Sequence, residues 1–366
     1  MKIAIITNKS YENCETFIKA QIDQLPFEKV HYWGYDVPFN LKKRVGLLER
    51  FQNKIFRKKS DKKILFINDL KAKKIEVIFA QYGIIGVKAL RVCKELKLPM
   101  VVHFHGHDAV RKSVLEEYLA SYQEMFLYDK ITIISVSNEM TKRLIKLGCP
   151  VSKIRYNPCS PSHEFIKLEP AFSKNQFISI GRFVEKKAPH LTLLAFGKVV
   201  EKHPDMKLIM AGDGGLLDSC KDMVKALCIE HNVIFPGKIS PEDYRGYLKN
   251  SLAYVQHSIE AQDGDMEGTP VSILEASGAG LPIVSTLHAG IPDVIKHESS
   301  GLLCEEFDIA TMAKNMLWII ENKKEAIAMG KNGKEFISKN FSMQKHIDSL
   351  TTIINVSLNS AKLNSN

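Results

Sequence analysis

Residues 263–284 read DGDMEGTPVSILEASGAGLPIV. Upstream, AYVQ has the pattern of a short strand and is followed by the polar loop SIEAQDGDMEG; downstream, PIVST has the pattern of another strand. Between them Thr269 suits an N-cap and Pro270 a first helical position, which predicts a helix starting near residue 270. The small residues Ala276, Ser277, Gly278, Ala279 and Gly280 would let that helix lie close on a sheet. Strand, helix, strand in this order implies parallel strands joined by right-handed crossovers.

The same alternation runs along the chain in two series. KIAIIT, KVHYW, EVIFA, PMVVHF and KITIISV are short apolar runs separated by helical patterns such as GVKALRVCKELK and NEMTKRLIKLG. NQFISIG, MKLIMAG, NVIFPG, SLAYVQ and PIVST form the second series. NPCSPSHEFIKLEPAFSKNQ, rich in Pro, Ser and Asn, reads as the linker between them. An α/β fold of two Rossmann-like halves is expected, residues 1–165 and 166–341, facing each other across a cleft at the carboxyl ends of their strands. A last helix, about 342–358, precedes a polar tail, and the 342–366 segment is expected to pack back on the first half.

Charged groups fall at the ends of these strands. Glu267 stands just ahead of the predicted helix, and Glu275 lies about 7–8 Å along it at 1.5 Å per residue. The N–H groups of Val271, Ser272 and Ile273 would lack partners at the helix N-terminus, a place that attracts phosphate. The order is acid, anion site, acid, which matches the sugar hydroxyls, diphosphate and ribose hydroxyls of a sugar nucleotide. SIGRFVEKKAP (179–189) places Arg182 and Lys187 after a strand, where a guanidinium and an ammonium could neutralise a diphosphate without metal. Taken singly, each of these features is also an ordinary one of a solvated surface.

CETFIKAQIDQL, IEVIFAQYG, VVHFHGHDA, SVSNEMTKRLIKLG, GRFVEKKAP, AGDGG and the 263–286 stretch follow one another in an order that resembles the retaining GT-B-fold glycosyltransferases of family 4, with their Glu-x7-Glu motif. The resemblance covers nearly the whole chain and is strongest to bacterial members of the colanic-acid kind, which build capsule, exopolysaccharide and lipopolysaccharide. It implies an acceptor half (1–165) and a donor half (166–341). Glu267 would hold donor-sugar hydroxyls, Glu275 the ribose, and Arg182 and Lys187 the departing diphosphate. Amides near Gly268 and Thr269 would reach the sugar, and those of Val271 and Ser272 the phosphate; His105 would line the cleft from the first half. The implied reaction retains anomeric configuration through front-face attack, needs no metal or cofactor, and moves sugar from a nucleotide-sugar, by family frequency a UDP-sugar, to a glycan or polyprenyl-diphosphate-linked glycan. The sequence departs from the family at Gln81 and Tyr82, where many relatives have His and Phe, and at Pro270, which replaces a glycine. Cys14 replaces the serine of S-E-T-F, and Cys159 to Ser162 replace N-G-x-D. Cys14 and Glu15 would lie on the acceptor side.

Composition limits the alternatives. The chain has 366 residues, 45% hydrophobic and 25% charged, which suits a soluble protein of two domains. Its seven scattered cysteines include no C-x-x-C pair, which argues against a disulfide framework or zinc site and fits a reducing cytosol. MKIAIITNKSYEN reads as a strand rather than a signal peptide, and no apolar run approaches the ~20 residues of a membrane span, so a cytoplasmic location is expected. The net charge of +10 concentrates at 41–74, with thirteen Lys or Arg against three acids. Val45, Leu48, Phe51 and Ile55 recur there at helical spacing, a basic amphipathic pattern that could rest on an anionic membrane at the inner face of the cell. The plainer reading is a solvated helix with its stripe turned inward. Nucleic acid is not expected, because no aromatic-interleaved basic motif accompanies the charge.

Rival chemistries fit less well. Asp263-Gly264-Asp265 has the form of a manganese-chelating D-x-D but lacks its fold context. His103, His105 and His107 alternate without the carboxylate or helical spacing of a zinc site. AGDGG has Leu217 at the third glycine position of a dinucleotide loop. A sugar-nucleotide 2-epimerase of the same architecture, or a catalytically silent partner subunit, remains as an alternative.

Overall fold

The computed structural model describes residues 1–37, 39–41 and 62–363, and in it the two sequence series become two six-stranded parallel sheets. The first holds β1 (Lys2–Thr7), β2 (Glu28–Trp33), β3 (Val77–Gln81), β4 (Met100–His103), β5 (Ile131–Ser135) and β6 (Ile154–Tyr156) in the order 2-1-3-4-5-6. The second holds β7 (Gln176–Ile180), β8 (Lys207–Ala211), β9 (Val233–Gly237), β10 (Ala253–Val255), β11 (Ile283–Thr286) and β12 (Gly301–Cys304) in the order 12-11-10-7-8-9. Strand direction of travel reverses at β1/β3 and at β7/β10. Loops leaving those neighbouring strands diverge to opposite faces, which opens a crevice at each sheet's carboxyl edge.

Helices cover both faces of the sheets, so central strands are apolar throughout: Ile3, Ala4, Ile5 and Ile6 of β1 are fully buried. β6 and β12 escaped the sequence reading because both are short sheet-edge strands. β6 is an edge strand of three residues with only Ile154 buried, and β12 is a four-residue GLLC. The last helix, Met343–Leu363, crosses back and lies on the first sheet. Ile347, Leu350, Ile353, Ile354 and Leu358 meet Ile5, Val77, Phe79, Val101 and Ile134 there. At ~1.5–3 kcal/mol for each fully buried aliphatic side chain, this stripe fixes the helix firmly.

Two local expectations need correction. The helix predicted near 270 runs from Val271 to Ala279 with Pro270 as its N-cap residue and no side-chain cap. Thr269 is not the cap: its hydroxyl donates to Val136 O of the first half at 2.5 Å, and its oxygen accepts from the Cys159 amide at 3.4 Å rather than from a helix N–H. The Pro- and Ser-rich linker contains a short helix, His163–Ile166, and its end, Gln176, already belongs to β7. In the basic 41–74 segment, Val45, Leu48, Phe51 and Ile55 lie outside the described residues. Helix Lys62–Ala72, at the end of that segment, turns Phe66, Ile67 and Leu70 into the core.

Candidate active site

The wall from the second half starts after β7. Gly181 to Phe183 pack against the AGDGG loop so closely that an added Cβ on Gly212 would lie 1.9 Å from Gly181 O, and one on Gly214 2.5 Å from Phe183 O. Both glycines have positive φ, +134° and +153°. Both serve close backbone approach. A 3-10 turn at Glu185–Lys187 then ends at Ala188, in the left-handed region (φ 35°), before helix Pro189–Val200.

That turn sends two lysines into the loop that follows β10. Lys186 Nζ lies 3.0 Å from Asp265 Oδ1 and donates to Met266 O at 3.1 Å. Lys187 Nζ lies 3.0 Å from Glu267 Oε1 and 3.4 Å from Gln256 Oε1. Burial by itself would raise the Glu267 pKa; Lys187, then Lys186, reverse this and bring it down to about 2, so the carboxyl is ionised. The Lys187 contact is ionic and poorly aligned as a hydrogen bond, and Glu267 Oε1 keeps acceptor capacity although it is shut off from water. Arg182, exposed at the same mouth, has no ion-pair or side-chain hydrogen-bond partner among the described residues.

At the N-terminus of helix Val271–Ala279 the amides of Val271 and Ser272 have no backbone partner. The Ile273 N–H, also predicted free, donates to Pro270 O at 3.0 Å. Ser272 Oγ is 2.9 Å from the Tyr254 hydroxyl, and its carbonyl accepts from Tyr244. Glu275 faces a cavity of about 340 Å³ that Phe17 lines from the first half and Val271, Ser272 and Tyr244 from the second. Protein packs around its carboxyl, which nonetheless opens on the cavity, and this desolvation pushes the pKa up to about 8. No hydrogen bond or ion pair holds Glu275 among the described residues.

The wall from the first half is built at the ends of β3 and β4, where Gln81 pairs with His103 in register. His105 follows in a loop pinned by Asp108, a buried residue that accepts from the amides of Gly83 (2.8 Å), His105 (3.1 Å) and Gly106 (3.0 Å). Gly106 has φ +154° and faces Met266 O and Gly268 N. An added Cβ on Gly268 would lie 2.3 Å from His105 O, so the halves touch backbone to backbone here. Burial holds the His105 pKa down to about 3. Cys14 is buried, its Sγ 3.4 Å from Lys9 O, while the half-buried Glu15 pairs with Lys9 at 2.6 Å and carries an unpartnered, water-shielded Oε2.

Asp263 and Asp265 are committed across the cleft. Arg111 of the first half lies 2.9 Å from Asp263 Oδ2 and 3.4 Å from Asp265 Oδ2. Sequence reasoning passed over Lys186, Asp108 and His288. His288 accepts from the Glu267 amide at 3.2 Å and lies 2.6 Å from Glu306 Oε1, so it braces the backbone of the buried acid. Asp108 had a visible signal, an acid opening a short helix after two glycine-flanked histidines; Lys186 and His288 had none, because their partners are distant in sequence.

Two family models together match most of the chain. "Glycosyltransferase Family 4" matches residues 28–160, and "Glycosyl transferases group 1" matches residues 163–336. The chain is 30% identical over 257 residues to the amylovoran biosynthesis glycosyltransferase AmsK of Erwinia amylovora, covering 69% of this chain and 63% of that protein. It is 28% identical over 275 residues to the putative colanic acid biosynthesis glycosyltransferase WcaL of Escherichia coli, covering 74% and 68%. The chain thus spans a little under two thirds of the AmsK length. In fold it is similar to HepE of Anabaena, solved in complex with UDP-glucose, at a TM-score of 0.75 and 16% identity over 98% of this chain and 99% of that one.

Proposed function

Since the chain belongs to the GT-B-fold glycosyltransferases of family 4, the colanic-acid kind among them, we propose that it transfers a sugar from a nucleotide-sugar, a UDP-sugar first among the candidates, to a growing surface glycan with retention of configuration and without metal. The observation that carries this reading is the buried Lys187–Glu267 contact beside the unpaired Arg182. It sets a carboxylate with free acceptor capacity next to two cations. Hydroxyls of the donor sugar suit the first, and a diphosphate suits the second. Val271 and Ser272 amides would share the phosphate, Gly268 and Thr269 amides the sugar, and Glu275 the ribose diol.

Transfer breaks the bond from the anomeric carbon to the diphosphate oxygen, which takes the electron pair. The acceptor oxygen bonds the same face of that carbon, and its proton passes to the departing diphosphate. Arg182 and Lys187 then act on the charge that grows on the leaving group. His105 faces the transferred sugar from the opposite wall, and Cys14 and Glu15 border the acceptor. The relatives matched here are named as glycosyltransferases, so neither the 2-epimerase nor the silent-subunit reading is favoured. The test is a thermal-shift panel of UDP-, GDP- and ADP-sugars, since a bound donor stabilises only the folded state. The anomeric proton coupling of the transferred sugar, measured by NMR, follows. An inverted product, or no shift with any nucleotide-sugar, ends this reading.

The acceptor on this view is a glycan or polyprenyl-diphosphate-linked glycan, met at an anionic membrane through the basic 41–74 segment. No described helix is long and apolar enough to cross a membrane. Each Lys or Arg near such a surface contributes ~1 kcal/mol, screened by salt. Co-sedimentation with anionic but not neutral vesicles, lost at high salt, is expected. Equal partition to both, or none to either, contradicts it.

A further inference from the structure

Behind His105 runs a buried chain of side chains that the transfer chemistry does not use. His346 from the last helix, Gln21 from helix Thr16–Gln24, Gln81 from β3 and His105 from the loop after β4 are linked at 3.0, 2.7 and 2.7 Å in turn. Gln21 and Gln81 are wholly shut off from water, and His346 nearly so. At its far end His346 Nδ1 lies 2.7 Å from Pro158 O, and His346 O accepts from Asn157 Nδ2 at 3.3 Å. The chain is therefore anchored where the polypeptide crosses between the halves.

One fixed group sets the direction of every bond. A carbonyl oxygen only accepts, so His346 donates Nδ1–H to Pro158. Burial holds His346 down to about 4, so the ring is neutral and its lone pair sits on Nε2. Gln21 must turn its NH2 toward that lone pair and its Oε1 toward Gln81. Gln81 must then donate to Gln21 and turn its own Oε1 toward His105. His105 is left to donate Nε2–H, with its lone pair on Nδ1. That nitrogen is hidden from water and meets no protein hydrogen-bond partner among the described residues.

We propose that Gln81, Gln21 and His346 are positioning residues that lock His105 in the Nε2–H tautomer, so that its Nδ1 accepts a hydrogen bond from a hydroxyl of the transferred sugar. The sugar contact rests on the transferase reading, whereas the tautomer does not. A proton on Nδ1 instead would set the Nε2 lone pair against Gln81 Oε1 and break the chain at its cleft end.

Nitrogen-15 NMR of the histidines in the full chain tests the lock. His105 should show a protonated Nε2 and an unprotonated Nδ1. Gln21→Met keeps the volume, removes both polar ends and leaves the cleft walls untouched. It should mix the His105 tautomers and lower kcat about 10-fold, the worth of one hydrogen bond of ~1.4 kcal/mol, with donor KM changed less than about 2-fold. Gln21→Glu should restore both, since one carboxylate oxygen still accepts from Gln81 while the other accepts from a doubly protonated His346. A packing role would tolerate methionine and reject the charge. A wild-type His105 protonated on Nδ1, which needs no variant to detect, overturns the proposal, as does a folded Gln21→Met protein with an unchanged tautomer. A tautomer that moves while turnover stays constant overturns the sugar contact alone. Failure of any nucleotide-sugar to bind the wild type would instead count against the transferase reading.

Discussion

The loops after β7 and β10 build a cleft wall of charges, and the ends of β3 and β4 build one around the neutral side chains of Gln81 and His105, with Asp108 spent on backbone amides behind them. On the first, Lys187, Lys186, Glu267 and Asp265 are buried or nearly so and compensate one another, with Arg182 left open at the rim. On the second, His103, His105 and His346 are held uncharged by burial, and the side chains behind His105 are glutamines. A diphosphate that gains charge as it leaves needs cations already in place. A sugar hydroxyl needs only a fixed acceptor, and a charged imidazole beside an oxocarbenium-like centre would oppose the reaction. On the proposed function the two walls divide those tasks.

Removing Lys187 should damage the charged wall most. Lys187→Ala leaves Glu267 buried without its partner, which costs about 3–5 kcal/mol of stability, and removes one cation from the leaving group, which lowers turnover about 10²–10³-fold. Chemical denaturation and steady-state assays measure the two losses separately. Arg182→Ala sharpens the contrast. It should lower turnover by a similar factor while stability changes by no more than roughly 0.5 kcal/mol, because the guanidinium is exposed and unpaired. A large loss of stability in Arg182→Ala would mean that it is part of the buried network.

A smaller effect is expected from pH. Among the cleft groups that burial displaces, His105 and His346 are held at about 3 and 4, while Glu275 is pushed up toward neutrality, to about 8. Its folded pKa lies above its ordinary 4.5, so the folded chain holds an extra proton between those values. Stability from this group is full below pH 4.5 and is lost as pH rises through 8. Ionisation also improves Glu275 as an acceptor for a ribose diol, so donor KM should fall over the same rise. Glu275→Gln should flatten both profiles between pH 5 and 9. A wild-type Tm slope unchanged by the substitution would contradict the assignment.

The fold was legible because doubly covered strands leave long apolar runs, and it faded where a strand is short and peripheral, as at Ile154–Tyr156. Residues near a strand end could be singled out, and the structure gathers Arg182, Lys187 and Glu267 at one mouth. The contact between Lys187 and Glu267 was not legible, since no local pattern links a turn after β7 to a loop after β10. Thr269 was misread because groups distant in sequence orient its hydroxyl, which donates to Val136 O and accepts from the Cys159 amide. Gln81 carried a signal in being polar at the close of an apolar strand. Its continuation to Gln21 and His346, 325 positions apart from each other, carried none.

The central claim is that fixed protein cations, without metal, bind the donor diphosphate. Isothermal titration of the nucleotide-sugar that gives the largest thermal shift, run with EDTA present, tests it most directly. Binding by the wild type should be unaffected by EDTA and should weaken about 30-fold or more in Arg182→Ala, as expected when a charge-assisted contact worth ~2 kcal/mol is lost. An unchanged Kd in Arg182→Ala, or binding that EDTA abolishes and manganese restores, would contradict the account and return Asp263 and Asp265 to a metal.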